Sequence, residues 1–104
     1  MNKKTDALMK TLLMERAAVI HNGYGNTKGP ETVAFVDVEK DLADTKKLET
    51  AFMKTNSITD AWWNNEGVIK MFGGATCRST ATGDMVLLAN GKKYECVDVG
   101  WKEV

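Results

Sequence analysis

Met85-Val86-Leu87-Leu88-Ala89-Asn90-Gly91-Lys92-Lys93-Tyr94-Glu95-Cys96 is the stretch on which the fold turns. Asn90-Gly91 is the dipeptide that best tolerates the positive φ angles of a two-residue hairpin turn, and extended-prone residues flank it on both sides. The expectation is a C-terminal β-hairpin with strands over 85–89 and 92–99. A two-residue loop sets Ala89 opposite Lys92, Leu87 opposite Tyr94 and Met85 opposite Cys96. Met85, Leu87, Tyr94 and Cys96 then share the core face. Val86 and Leu88 fall on the other face beside Lys93 and Glu95, and the first face is the expected core because a one-residue slip would bury both charges.

Upstream, Arg78-Ser79-Thr80 and Gly83-Asp84 form a polar turn leading into the hairpin. Arg78 suits a carboxylate or phosphate, while Asp84 suits the turn's own amides. Val68 to Phe72 is a candidate strand, Gly73-Gly74 a turn, and Ala75 to Arg78 a return strand. Ser57 and Asp60 resemble a capping box that opens a short helical turn through Ala61, Trp62 and Trp63. Asp41 or Asp44 is placed to cap a longer helix ending near Thr55, with Leu48, Ala51 and Phe52 on its buried stripe and Leu42 as a further candidate for it. Thr32 to Val38 carries Val33, Phe35, Val36 and Val38 and reads as a strand. At the N-terminal end, Met9, Leu13, Ala17 and Ile20 recur at helical spacing. They predict a first helix over 6–20, stopped by Asn22-Gly23. The expected architecture is one α+β domain spanning residues 1–104: two main helices and a short third one packed on a small antiparallel sheet that ends in the C-terminal hairpin.

A chain of 104 residues is long enough to bury one modest core. Fourteen basic residues balance fourteen acidic ones, which disfavours a non-specific nucleic-acid binder, since phosphate neutralisation supplies most of such a protein's affinity. The acidic run Asp37, Glu39, Asp41 and Asp44 reads as a solvated face and as caps. Cys77 and Cys96 are the two cysteines and His21 the one histidine. That inventory is too small for a zinc site, and the pair is expected as reduced thiols in a cytoplasmic protein. Lys10, Glu15 and Arg16 interrupt the apolar run near the N-terminus, so neither a signal-peptide core nor a membrane span is expected.

The candidate chemistry is sparse. Gly23, Gly25 and Gly29 lie between an expected helix and an expected strand, the reverse of a dinucleotide loop. Asp37 and Glu39 could share one face of a strand end, but no histidine or lysine is fixed relative to them, and solubility and capping explain them as well. Ser79 and Thr80 lack a nucleophile-elbow context, and His21 is distant in sequence. No catalytic residue, cofactor or metal is expected. Trp62 and Trp63 sit about 100 degrees apart on a helical turn, so one should anchor the core and the other lie at its margin. A tryptophan at that margin, next to Asn64 and Asn65, is a plausible protein-binding anchor. The expected protein-binding residues are Trp62, Trp63, Asn64, Asn65, Arg78 and Asp84.

The succession of Ala51-Phe52-Met53-Lys54-Thr55-Asn56-Ser57-Ile58, Ala61-Trp62-Trp63-Asn64-Asn65, Arg78-Ser79-Thr80-Ala81-Thr82-Gly83-Asp84 and Gly100-Trp101 resembles a group of small accessory proteins. Phages and other mobile elements encode them, and their Arg-Ser-Thr-x-x-Gly-Asp turn leads into a terminal hairpin ending in glycine plus an aromatic. The resemblance covers about residues 50–104 and has no counterpart over residues 1–30. It implies an origin: small phage proteins without catalytic motifs act by occupying a host protein, including components of defence systems. Binding to a host protein is therefore the expected function, with nucleic-acid binding as the alternative.

Overall fold

A computed structural model describes residues 12–22, 29–58 and 60–104. Its strands are β1 (Met14–His21), β2 (Glu31–Glu39), β3 (Val68–Lys70), β4 (Met85–Leu87), β5 (Lys93–Cys96) and β6 (Trp101–Glu103). They form one six-stranded sheet in the order β3-β2-β1-β4-β5-β6, and every neighbouring pair is antiparallel. Among the described residues one helix is seen whole, α1 (Asp44–Lys54), with a single 3-10 turn (Trp62–Asn64), and Leu12 and Leu13 just before β1 are also helical. The expectation of two main helices and a short third one on a small sheet is thereby corrected.

The correction begins at β1. Ala17, Val19 and His21 are buried while Arg16, Ala18 and Ile20 face the other way, a period of two. Met14, Glu15, Arg16 and the alanines favour helix locally. As a strand between β2 and β4, the segment instead pairs on both edges and buries Ala17 and Val19 completely. The helical stripe expected at Met9 lies outside the described residues, as do Gly23 and Gly25. In β2 a bulge opposite Val19/Ile20 shifts the register by one residue, and the adjacent Val33 and Ala34 are both fully buried.

The helix follows its expected stripe: Leu48 and Ala51 are fully buried against the sheet. Neither Asp41 nor Asp44 caps it, because Ala43 occupies the N-cap without a side-chain bond. Asp44 sits in the first turn, where a negative charge suits the helix dipole. Lys47 is also buried and donates to Glu15 Oε1 at 2.8 Å, tying α1 to β1.

The C-terminal hairpin exists with its register moved by one residue: Leu87 pairs with Lys93, Val86 with Tyr94 and Met85 with Glu95. Gly91 N–H donates to Leu88 O and Leu88 N–H to Lys92 O, so the loop holds three residues, Ala89-Asn90-Gly91. Gly91 alone takes a positive φ, +89°, and Asn90 does not. This is a β-turn closed by a glycine bulge. Val86 and Leu88 consequently face the core (0% and 3% exposed) and Leu87 faces out at 38%. Lys93 and Glu95 stay on the outer face because β5 keeps its expected facing and only β4 turns over against it. No strand forms over residues 75–78.

Candidate functional site

The most organised polar chemistry lies beneath the 77–84 turn. His21 ends β1 and is 1% exposed. Its Nδ1 is 3.6 Å from Cys77 Sγ, and its Nε2 is 2.9 Å from Thr80 Oγ1. Thr80 Oγ1 lies 2.8 Å from Thr55 Oγ1, and Thr55 Oγ1 is 2.8 Å from the carbonyl oxygen of Ala51. A carbonyl only accepts, so the Thr55 hydrogen goes to Ala51. Thr55 Oγ1 must then accept from Thr80, and Thr80 Oγ1 must accept from His21 Nε2–H. Neutral His21 therefore carries its proton on Nε2 and offers Nδ1 to the Cys77 thiol. The chain runs one way, from Cys77 on the turn through β1 to the C-terminal end of α1.

Asp84 stands beside this chain, fully buried. Oδ1 accepts from Arg78 Nη2 at 2.8 Å and from Asn22 N–H at 2.9 Å. Oδ2 accepts from Arg78 Nη1 at 2.6 Å and from Ala81 N–H at 2.8 Å. Those bonds engage both oxygens of the carboxylate with donors. Its Oδ2 is 3.8 Å from His21 Nε2, beyond hydrogen-bond reach. Burial pulls the His21 pKa down; Asp84 opposes that shift and Arg78 reinforces it. Burial pushes the Cys77 thiol up, with the negative charge of Glu31 adding to it. Both shifts favour a neutral thiol–imidazole pair over a thiolate–imidazolium pair, so the cluster is built as a fastener rather than an activated nucleophile.

A groove opens on one side of this cluster, between α1 and the β5–β6 hairpin. Its volume is about 470 Å³. Phe52 from α1 and Trp101 from β6 line it, with Cys96, Thr80, Glu49 and Asp98 around them. The Phe52 and Trp101 rings meet edge to face, 6.2 Å between centroids and 84° between planes.

The residues singled out by sequence distribute as follows. Trp62 is fully buried, and its indole N–H donates to the carbonyls of Cys77 (3.2 Å) and Arg78 (3.0 Å). Trp63 is half-buried and meets Trp62 and Phe72 edge to face at 5.5 and 5.4 Å. Asn64 is exposed, while Asn65 Nδ2 donates to Lys54 O at 2.8 Å and closes the end of α1. Arg78 and Asp84 pair with each other. The structure thus joins Trp62, Arg78 and Asp84 through the 77–84 turn and leaves the edge of Trp63 and Asn64 at the surface. His21, Cys77, Thr55 and Thr80 were not singled out together, since the contacts that unite them span 25 to 59 residues. The one available signal was that the sole histidine sits at the polar end of an apolar run. Asp37 keeps to the outer face of β2, 3.9 Å from Arg16. Among the described residues no group of three or more His, Cys, Asp or Glu side chains could hold a metal ion, and no helix is long and apolar enough to cross a membrane. Comparison with protein families, with curated proteins and with solved structures finds no match to this chain.

Proposed function

We propose that this chain is a small phage or mobile-element accessory protein that acts by binding another protein, a component of its host, through the groove between α1 and the β5–β6 hairpin. The observation that carries the reading is the pair of half-buried aromatic rings, Phe52 and Trp101, bordering a concave surface with polar groups around it. An aromatic centre with a hydrogen-bonding margin is the usual anatomy of a binding hot spot. The His21–Cys77 pair, neutral and internally satisfied, does not favour a catalytic reading. Trp62 and Asp84 are fully buried, so they support the surface from beneath, and Trp63 with Asn64 supplies a second exposed margin.

The test is capture from host lysate with the tagged chain, comparing wild type, Trp101→Ala and Trp63→Ala. A host protein retained by wild type and lost with Trp101→Ala, a weakening of about 2 kcal/mol or more, supports the groove. A partner held equally by Trp101→Ala refutes it. Tight DNA binding in a gel shift, weakening steeply with salt, refutes the protein-binding reading as a whole.

A further inference from the structure

We infer that the groove is a receptor for a cationic side chain, arginine or lysine, carried on an extended segment of the partner that lies along the open edge of β6. The inference rests on the protein-binding reading of the same groove and names the chemistry of what fills it.

The first observation is charge. Among the described residues, the side chains lining the groove include the carboxylates of Glu49 and Asp98 and no lysine or arginine, although the chain as a whole has no net charge. Lys46 Nζ does approach Glu49 Oε2 at 3.4 Å, with both side chains more than 60% exposed. Such surface pairs contribute little, so a ligand cation competes for Glu49 at low cost.

The second is the shape of the aromatic pair. Two rings 6.2 Å apart and 84° to one another form a corner. A cation seated in a corner meets the negative π-face of a ring while the neighbouring carboxylates neutralise its charge, the arrangement by which proteins recognise ammonium and guanidinium groups. A purely apolar ligand would leave Glu49 and Asp98 without benefit, and an acidic one would be repelled.

The third is the backbone beside it. Val104 N–H donates to Lys93 O and Val97 N–H to Gly100 O. The hydrogen-bonded pairs of the β5–β6 ladder alternate by two residues, so Lys102 opposite Glu95 is the next such pair. The amides and carbonyls of Trp101 and Glu103 therefore point away from β5, along the outer edge of the sheet. No described strand pairs with that edge. An extended segment added there gains main-chain bonds, and its alternate side chains fall on the face where Trp101 lines the groove.

The probe is an acetylated, amidated pentapeptide of alternating threonine and arginine, titrated into the ¹⁵N-labelled chain. The expected result is saturable binding, with the largest shifts at the Trp101 indole N–H and at the backbone amides of Trp101 and Glu103. Replacing arginine by citrulline, which keeps the shape and removes the charge, weakens binding at least ten-fold. So does the Glu49→Gln/Asp98→Asn double substitution, which alters two exposed side chains and leaves the rest of the spectrum in place. Equal affinity for the citrulline peptide, equal affinity for free arginine, shifts centred away from β6, or no saturable binding each overturns the inference. If a captured partner depends on Trp101 yet is indifferent to the Glu49→Gln/Asp98→Asn double substitution, the cationic inference falls and the protein-binding reading stands. A partner indifferent to Trp101 removes the reading beneath it.

Discussion

Replacing Thr80 by valine or by serine separates the hydrogen-bond chain from ordinary packing. Valine keeps the volume and removes the hydroxyl, whereas serine keeps the hydroxyl and removes a methyl group. Thr80 is 2% exposed, and its hydroxyl both accepts from His21 Nε2–H and donates to Thr55 Oγ1. In Thr80→Val two neutral bonds of about 1 kcal/mol each are lost, and the buried His21 N–H is stranded. The carbonyl of Ala51 still holds the Thr55 hydrogen, so that end of the chain is spared. The expected loss is about 2–4 kcal/mol. Thr80→Ser removes one buried methyl, about 1 kcal/mol. Equilibrium urea denaturation at pH 7.5, with unchanged m-values, reads both. Valine should be the more damaging by at least about 1 kcal/mol. If packing alone governed the site the order would reverse, and a Thr80→Val chain as stable as Thr80→Ser refutes the one-way chain. A ¹⁵N spectrum of the imidazole checks the same logic independently: neutral His21 should be the Nε2–H tautomer.

Leu88→Ala should destabilise by about 2–4 kcal/mol and Leu87→Ala by less than about 1; the opposite order in denaturant melts would restore the two-residue turn. Arg78→Met leaves the fully buried Asp84 without its bidentate partner and should cost about 3–5 kcal/mol, measured in the same way; a neutral result would mean that Asp84 is held by its backbone donors alone. His21 has a folded pKa below its unfolded value of about 6.5, so the unfolded chain takes up the proton first. The stability tied to neutral His21 is intact above that pH and declines on acidification below it. Glu31, Asp84, Arg78 and Cys77 are the charged or titratable groups acting there. The wild-type loss between pH 7.5 and 5 should exceed that of His21→Asn, and parallel profiles would refute the assignment. Tyr94→Phe should return the lowered Asp44 pKa toward its ordinary value, because the Tyr94 hydroxyl is its leading hydrogen-bond donor; carboxylate titration by NMR reads this directly.

The parts of the fold legible in the sequence are those set by local pattern. β2 and α1 follow from Val36 and Val38, two apart on a strand, and from Leu48 and Ala51, three apart on a helix, whose spacing matches the face they bury, whereas Val33 is buried at the bulge. That one of Trp62 and Trp63 enters the core and the other stays at its margin follows from angular spacing on a turn; that Trp62 is the buried one does not. Asn90-Gly91 marks a hairpin, but it serves a two-residue turn or a three-residue loop with a glycine bulge equally well, and those differ by one residue of register. The charges Lys93 and Glu95 could not arbitrate, since both registers keep them outside. What distinguishes them is the pairing of Val19 with Val86 across β1 and β4, a contact between residues far apart in sequence. The first strand was hidden for a related reason. Met14, Glu15, Arg16, Ala17 and Ala18 favour a helix locally, and only its neighbours β2 and β4 make the extended form the better one. The candidate site is a sum of such distant contacts, so Phe52 was legible as a helix-face residue and Trp101 as an aromatic, but their meeting was not.

The polar cluster and the groove share a wall, which gives the cluster a consequence for binding. Thr80 lines the groove while its hydroxyl lies within the hydrogen-bond chain. The 77–84 turn is tied to the end of α1 by Thr80 N–H to Thr55 O, and to β5 by Gly83 N–H to Cys96 O and Cys96 N–H to Asp84 O. At the opposite end of the helix, Asp44 accepts from Tyr94 Oη at 2.9 Å and from Asn90 Nδ2. The two walls of the groove, α1 and the β5–β6 hairpin, are therefore tied to one another by hydrogen bonds at each end, and the Phe52–Trp101 corner lies between them. Loosening the buried tether alters the corner without touching either ring. Thr80→Val should thus shift the Trp101 indole N–H resonance in the folded state, whereas Leu88→Ala, which empties core space beneath β4, should leave it nearly in place. Equal shifts from both would mean that the corner responds to general loosening rather than to the chain through Thr80.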